Sequence, residues 1–198
     1  DLEGVSQKYK DYRLALINNY KFISISTPPK IQNKICDFVL KKEKKPEFLV
    51  LEKPLTQNFK ETSKLLKRLN KKQVKFIVNF IYENIEEFIE FKKIINKNEI
   101  KNFTYEWNFK QGYFLNKKKT WKISDKDGGG LVNYYLIHIF YNLLFFFKNI
   151  KLLKVVLIRK NKIITQCKIK LSTDRTFKIK ILMNINANKS LHSVRFTT

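Results

Sequence analysis

The first 80 residues alternate between short apolar runs and amphipathic segments. Apolar runs of strand length cover 22–26, 48–51 and 74–80. The run 48–51 (Phe-Leu-Val-Leu) is uninterrupted, as in strands that are buried on both faces of a parallel sheet. The segments between them, 30–41 and 57–69, carry apolar residues at helical spacing, and Thr56 is the predicted N-cap of the second helix. Strands and helices in this alternation predict a parallel α/β sheet.

The pattern changes after residue 80. A helix is predicted at 84–95 and a strand at 100–110, and the uncharged run 131–147 predicts a helix buried between domain layers. Several strands with few helices between them indicate a mostly antiparallel sheet. We therefore expect two domains, residues 1–80 and 81–198. The later strands are predicted at 152–158, 163–171, 177–183 and 193–196.

The formal net charge of +24 raises the possibility of a nucleic-acid-binding protein. Only five basic residues are arginines, the side chains that usually read phosphates and base edges. The lysines are scattered over every segment, which favours a genome-wide compositional bias. We therefore expect weak attraction to polyanions and no specific nucleic-acid partner.

Cys36 and Cys167 stand far apart, with no CxxC pair and no Cys/His cluster. This excludes a zinc ribbon and a disulfide-rich scaffold, and no metal site is predicted. Both cysteines are expected to be buried apolar residues of a reducing compartment, which predicts a cytoplasmic protein. No membrane partner is predicted, because the uncharged run 131–147 is at the lower edge of a membrane-spanning length and contains polar residues.

A first candidate motif, Glu52-Lys53-Pro54, follows the second strand directly. In a parallel α/β sheet, ligands bind outside the carboxyl ends of the strands. Thr27 and Pro28, which end the preceding strand, fall at the same edge. A lysine at this edge can hydrogen-bond a substrate hydroxyl and share its proton, and Pro54 is a candidate for a cis peptide bond. Considered by itself, Lys53 fits a solvated loop lysine equally well.

A second candidate motif joins three glycines, Gly128–Gly130, to the predicted buried helix. Glycine lets the backbone turn sharply or approach a ligand closely. Tyr134, His138 and Asn142 recur at every fourth position and predict one polar stripe on the helix. A neutral imidazole on that stripe can relay a proton to a substrate oxygen, although His138 also fits a structural histidine. The other histidine, His192, has no predicted role.

These motifs, in this order and spacing, resemble the Gfo/Idh/MocA oxidoreductases. Residues 23–35 resemble the strand, Thr-Pro turn and helix of the family, and 51–55 match its Glu-Lys-Pro motif. Residues 78–109 resemble the stretch that leads into its second domain. Residues 121–140 resemble its Trp, Gly-Gly and histidine helix.

The resemblance implies an α/β fold: the C-terminal part of a Rossmann-like parallel sheet, then an α/β domain with an open, mostly antiparallel sheet. It implies hydride transfer between NAD or NADP and a sugar-like hydroxyl, and by analogy a homo-oligomer through the C-terminal sheet. Lys53 and His138 are the implied catalytic residues. The implied cofactor-binding residues are Thr27, Pro28, Glu52, Lys53 and Pro54, and the implied substrate-binding residues are Trp121, Gly129, Asn133 and Tyr134.

The sequence also departs from the family. The family commonly has Asp where this chain has Tyr134, so the substrate class stays open. No G-x-G-x-x-G phosphate loop can be written with the five glycines. The chain begins at Asp1 without a Met, which indicates a fragment lacking about 60 residues, or two βα units. The second domain is also expected to be incomplete. The alternative is a non-catalytic binding or regulatory relative that has lost the phosphate loop.

Overall fold

A computed structural model describes residues 7–80, 85–116, 120–175 and 177–198. The chain divides into two units, Asp1–Asn79 and Phe80–Thr198, each with its own sheet and core. The described helices are α1 (Tyr12–Ala15), α2 (Pro29–Lys41), α3 (Phe59–Lys71), α4 (Glu86–Lys97), α5 (Gly112–Asn116) and α6 (Ile137–Phe146). The described strands are β1 (Phe22–Ile25), β2 (Phe48–Leu51), β3 (Lys75–Val78), β4 (Asn102–Lys110), β5 (Ile150–Lys160), β6 (Ile163–Thr173), β7 (Lys178–Asn184) and β8 (Asn186–Thr197).

The first unit is built on a parallel sheet in the order β1-β2-β3. Its strands end level with one another, because Ile25 pairs with Leu51 and Leu51 pairs with Val78. Helices α2 and α3 contribute Val39 and Leu65 to the same buried core as Leu51. This sheet confirms the predicted parallel α/β architecture.

Helix α2 begins at Pro29, a residue suited to the first helical turn. The residues that it buries include Gln32, Ile35, Cys36 and Val39, which follow the i, i+3, i+4, i+7 spacing of one helix face. Helical spacing would also place Ile31, four positions before Ile35, on this face, but Ile31 is 37% exposed. The buried position of the first turn belongs instead to a polar residue, Gln32.

Helix α3 begins two residues later than predicted. Its N-cap is Asn58, whose side chain accepts a hydrogen bond of 3.0 Å from the backbone N–H of Glu61. Thr56, the predicted cap, is buried, and its hydroxyl instead pairs with the carbonyl of Asn58 and the hydroxyl of Thr62. The cap prediction failed because the Thr56 hydroxyl is engaged in the loop that precedes the helix.

The second unit carries a five-stranded open sheet in the order β5-β6-β7-β4-β8. Its neighbours pair antiparallel except β4 and β7, which run parallel. This confirms the predicted open, mostly antiparallel sheet, although β8 is far longer than the short strand predicted at 193–196. The core face of the sheet includes Phe103 and Tyr105 of β4, in one buried cluster with Ile139 and Leu143 of α6.

The uncharged run before β5 combines two helix types. Leu131–Leu136 is π-helical, and α6 continues it as an α-helix. A π-helical turn holds more residues than an α-helical turn, so the predicted stripe shifts at its beginning. None of the described helices is long and apolar enough to cross a membrane.

Candidate functional site

The carboxyl edge of the parallel sheet gathers the predicted cofactor residues of the first unit. Because β1, β2 and β3 end in register, the residues that follow them leave the sheet at one edge. Thr27 and Pro28 follow β1, and the segment 52–54 follows β2. Lys53 and Glu52 are half-buried, Pro54 is buried, and the Lys53–Pro54 peptide bond is cis, as the motif suggested.

A buried glutamine holds the loop that carries Lys53. The Gln32 side chain is fully buried, and its amide nitrogen donates to the carbonyls of Glu52 at 2.8 Å and Leu55 at 3.0 Å. Its amide oxygen accepts from the backbone N–H of Glu52 at 2.8 Å. Gln32 was not predicted from the sequence. The feature that could have identified it is a polar amide side chain at one of the i, i+3, i+4, i+7 positions that form the buried face of α2.

Asn79 fixes the carboxylate of Glu52. The Asn79 backbone N–H donates to the carbonyl of Leu51 at 2.8 Å, and its side-chain amide donates to Glu52 Oε1 at 2.9 Å. The residue after β3 therefore continues the pairing of β2 and orients the acid of the Glu52-Lys53-Pro54 motif. Asn79 also was not predicted, because nothing in the local pattern relates it to Glu52.

The side-chain hydroxyl of Thr27 is a buried polar group at the same edge of the sheet. Its hydroxyl oxygen is buried and has no hydrogen-bond partner among the residues that the structure describes. Leaving such a group buried and unpaired costs about 1–3 kcal/mol. A ligand that brings a polar group to this edge would recover that cost.

In the second unit, the glycine run is explained by close packing of a turn. A Cβ on Gly129 would lie 2.1 Å from the carbonyl oxygen of Trp121, and a Cβ on Gly130 would lie 2.0 Å from Asp125 Oδ1. Gly130 also has a φ of 76°, which favours glycine. Asn133 secures the turn by donating to the carbonyl of Asp125 at 3.3 Å. Burial raises the pKa of the Asp125 carboxyl.

His138 is half-buried among aromatic rings. Its imidazole makes edge contacts with Phe80, at 6.1 Å between ring centroids, and with Trp107, at 6.3 Å. Trp107 is also contacted edge-on by Tyr135, at 5.8 Å. At the start of the predicted stripe, Tyr135 therefore takes the place of Tyr134, because Tyr135 and His138 contact the same ring, Trp107. Tyr134 packs edge-on against Trp121 instead, at 5.3 Å between ring centroids.

A small cavity of about 160 Å³ lies beside Tyr135. Gln111, Thr120 and Lys122 contribute to its lining. Gln111 is buried, and its amide oxygen has no hydrogen-bond partner in the part of the chain that the structure describes. Burial raises the pKa of the Tyr135 hydroxyl, although a hydrogen bond with Gln111 opposes the effect. The cavity thus offers an acceptor and a protonated phenol to a small polar group.

The two predicted catalytic residues belong to different units. Lys53 lies in Asp1–Asn79 and His138 in Phe80–Thr198. Their meeting in one active site stays a prediction, as do the substrate contacts assigned to Trp121, Gly129, Asn133 and Tyr134. Among the described residues, no group of three or more His, Cys, Asp or Glu side chains is placed to hold a metal ion.

Comparison with protein families gives one match. Residues 3–80 match the Gfo/Idh/MocA family, described as an oxidoreductase family with an NAD-binding Rossmann fold. A search of curated proteins finds no match.

Several solved structures share the fold. An NAD-binding protein from Listeria innocua has 17% identity and a TM-score of 0.79, with 95% of this chain and 54% of that chain covered. Levoglucosan dehydrogenase in complex with NADH and L-sorbose has 15% identity and a TM-score of 0.79, with 94% and 54% covered. The WlbA dehydrogenase from Thermus thermophilus in complex with NAD and α-ketoglutarate has 15% identity and a TM-score of 0.69, with 89% and 58% covered. The chain therefore spans little more than half the length of these structures.

Proposed function

We propose that the protein is an NAD(P)-dependent oxidoreductase, because residues 3–80 match the model of the Gfo/Idh/MocA oxidoreductases. The proposed reaction transfers hydride between the cofactor and a hydroxyl-bearing carbon of a sugar, nucleotide sugar or polyol. The observation that carries the proposal is the Glu52-Lys53-Pro54 loop, which Gln32 holds at the carboxyl edge of a parallel sheet. That edge is where α/β folds of this kind bind their ligands.

The residues at this edge suit the nicotinamide end of the cofactor. Thr27 supplies a buried hydroxyl that needs a partner, and Glu52 supplies a carboxylate oriented by Asn79. When bound, NAD(P) supplies the hydride-accepting ring. No glycine-rich phosphate loop occurs in this sequence, so we assign none of its residues to the pyrophosphate.

Proton handling is proposed for Lys53 and His138. Lys53 donates a hydrogen bond to the oxygen of the reacting hydroxyl, and His138 takes up the proton of that hydroxyl as hydride leaves the carbon. The aromatic contacts of His138 with Phe80 and Trp107 restrict its ring and exclude water from two sides. Lys53→Ala should therefore abolish turnover, and unchanged turnover would contradict the assignment.

The proposed substrate is sugar-like. Two structures with the same fold support this class: levoglucosan dehydrogenase in complex with L-sorbose, and WlbA dehydrogenase in complex with UDP-GlcNAcA. The cavity beside Tyr135 is consistent with it, because a substrate hydroxyl can donate to the buried amide oxygen of Gln111. Asn133, Tyr134, Gly129 and Trp121 remain the proposed neighbours of the substrate. We propose NAD or NADP as cofactor without preference.

A second candidate function is cofactor or ligand binding without catalysis. It is favoured by Tyr134, which stands where the family commonly has Asp. A tyrosine can hydrogen-bond a substrate but supplies no carboxylate near neutral pH. This candidate predicts binding with no turnover.

We further propose that the protein forms a homo-oligomer through the C-terminal sheet. Strand β5 lies at one edge of that sheet and exposes apolar side chains on both faces. A long, apolar edge strand is a ready site for protein association. The exposed apolar residues of β5 are Leu152, Leu153, Val155, Val156, Leu157 and Ile158, at 40–56% exposure.

A reducing, cytoplasmic location is proposed because both buried thiols are free.

Binding and turnover can be measured on the same samples. NADH and NADPH are titrated by fluorescence, and reduction of NAD⁺ and NADP⁺ is followed with a panel of sugars and polyols. Binding with turnover supports the enzyme, and binding without turnover supports the second candidate. Failure of both dinucleotides to bind overturns the cofactor assignment. Lys53→Met tests whether binding and turnover depend on the lysine at the carboxyl edge of the sheet. Lys67→Met, at an exposed lysine of α3, is the matched control.

A further inference from the structure

The chain has two histidines, and the structure places both against one tryptophan. Trp107 of β4 makes the edge contact with His138 at 6.3 Å, with 70° between the rings. On β8, His192 stacks on Trp107 with ring centroids 4.9 Å apart and 19° between the planes. His192 pairs with Trp107 across the antiparallel β4–β8 ladder, so the backbone itself holds these two rings together.

Two hydrogen bonds connect His192 to the helix of His138. The Asn142 side chain donates to the hydroxyl of Tyr105 at 3.1 Å, and that hydroxyl lies 2.9 Å from His192 Nε2. Tyr105 and Asn142 are each only 1% exposed, so water does not replace these hydrogen bonds readily. The Tyr105 hydroxyl accepts from Asn142 and shares a second hydrogen bond with His192 Nε2.

The surroundings of His192 favour its neutral form. One side of the imidazole is exposed on β8, while contact with Tyr105 and Trp107 desolvates the other. The partial burial lowers the pKa of His192. The ring is therefore neutral near pH 7.

These contacts form a closed ring of five residues. Asn142 lies four positions after His138, about one turn further along α6. The ring runs from His138 to Trp107, to His192, to Tyr105, to Asn142 and back through that turn. His192 is the member that touches both the Trp107 ring and the Tyr105 hydroxyl. Removing the His192 side chain would remove the ring that stacks on Trp107, which contacts His138. It would also remove the hydrogen bond that connects Tyr105, and through it Asn142 of α6, to β8.

We propose that His192 is a positioning residue for His138. The His192 imidazole stacks on Trp107 and fixes the orientation of that ring, and its hydrogen bond with Tyr105 fixes the position of Asn142. As a result, the His138 imidazole keeps one orientation toward the reacting oxygen. The inference rests on the function proposed above for His138. It assigns no contact with substrate to His192.

The test is NMR of histidine ring signals in the full chain, labelled at histidine. Two histidines give two sets of ring signals, and His192→Phe identifies those of His138 by deleting the other set. His192→Phe keeps an aromatic ring over Trp107 but loses the hydrogen bond with the Tyr105 hydroxyl, whereas His192→Ala loses both contacts. We expect the His138 signals to shift in His192→Phe, and to shift further and broaden in His192→Ala. Because part of the His192 ring is exposed, neither change opens a core cavity.

The matched control is Leu191→Ala, on the opposite face of β8 and 40% exposed. It should leave the His138 signals unchanged. Unchanged His138 signals in both His192 variants, with backbone amide spectra that show a folded protein, would overturn the positioning role. A variant that fails to fold leaves the other variant to decide.

Kinetics separate this inference from the proposed function. If the wild-type chain turns over, His192→Ala should lower kcat by up to about 100-fold with little change in KM, as expected for a misplaced catalytic group. A change in KM without a change in kcat would contradict positioning. If the wild-type chain shows no turnover, the proposed function fails, and the NMR comparison still decides whether His192 orients His138.

Discussion

Gln32 and Glu52 are joined by two hydrogen bonds of 2.8 Å, one to the backbone carbonyl of Glu52 and one from its backbone N–H. The side-chain amide of α2 thus pairs with the residue after β2 as a neighbouring strand would. The same amide nitrogen reaches the carbonyl of Leu55 at 3.0 Å. A single buried side chain therefore spans the loop that contains Lys53 and Pro54, and the position of the proposed catalytic lysine depends on it.

Replacing Gln32 with leucine should destabilise the first unit. The side chains have similar size, but Gln32→Leu removes the partner of three part-buried groups, the N–H and carbonyl of Glu52 and the carbonyl of Leu55, at up to about 1–3 kcal/mol for each group. We expect a lower midpoint in urea unfolding and weaker NAD(P)H binding. Lys34→Leu, at an exposed position of the same helix, serves as control. Equal midpoints for the two variants would contradict the role of Gln32.

Two glycines should respond in opposite ways to alanine. A Cβ at Gly129 would lie 2.1 Å from the backbone of Trp121, whereas Gly112, in α5, has no atom within 4 Å of its Cβ position. Gly129→Ala must displace the turn before His138 and should lower the thermal midpoint by several degrees. Gly112→Ala should leave it unchanged or raise it, since alanine favours a helix by about 1 kcal/mol. Calorimetry of both variants checks this; similar effects would refute the packing explanation.

The two cysteines should be unreactive in the folded protein. Burial raises the pKa of the Cys36 thiol and of the Cys167 thiol, each to about 12. At pH 8 both remain protonated, and the thiolate is the reactive form. A thiol reagent such as DTNB should label neither residue until denaturant is added. Rapid labelling under native conditions would show that one of these sites is open.

The same thiols should make stability fall at high pH. An unfolded thiol titrates at about pH 8.5, so between that pH and about 12 the folded state holds protons that the unfolded state has lost. Stability is therefore fully present below the lower value and falls as pH rises, by up to about 1.4 kcal/mol per pH unit for each thiol. The unfolding free energy of the wild type should exceed that of the Cys36→Ala/Cys167→Ala variant by less at pH 10 than at pH 8. The same difference between the two proteins at both pH values would contradict the raised pKa values of the thiols.

The proposed oligomer should be sensitive to charge on β5. Val156 and Ile158 are each 40% exposed, and Val156→Lys with Ile158→Lys places two ammonium groups on this edge strand. We expect a smaller species by light scattering after size-exclusion chromatography. Leu144→Lys, on α6 and 55% exposed in the wild type, should not change the mass. A wild-type chain that is monomeric at all concentrations would remove the proposal.

The local elements were largely readable from the chain. Strand β2 was predicted residue for residue, because an uninterrupted apolar run of four residues can only be buried as a strand in this alternation. The cap of α3 was missed because Thr56 and Asn58 are both good caps, and only the pairing of Thr56 with Thr62 decides between them. The departure of Tyr134 from the predicted stripe was missed because hydrophobic periodicity does not distinguish π-helical from α-helical turns.

By itself, the sequence determined the two kinds of sheet, the residues that follow β1 and β2, and the motifs that resemble the Gfo/Idh/MocA family, since these depend on neighbours along the chain. Only the tertiary structure decided what holds those motifs. Gln32 reaches Glu52 across 20 positions, and Tyr105 reaches His192 across 87. Such pairs depend on how helices and strands pack, and a buried polar side chain shows its purpose only when its distant hydrogen-bond partner is known.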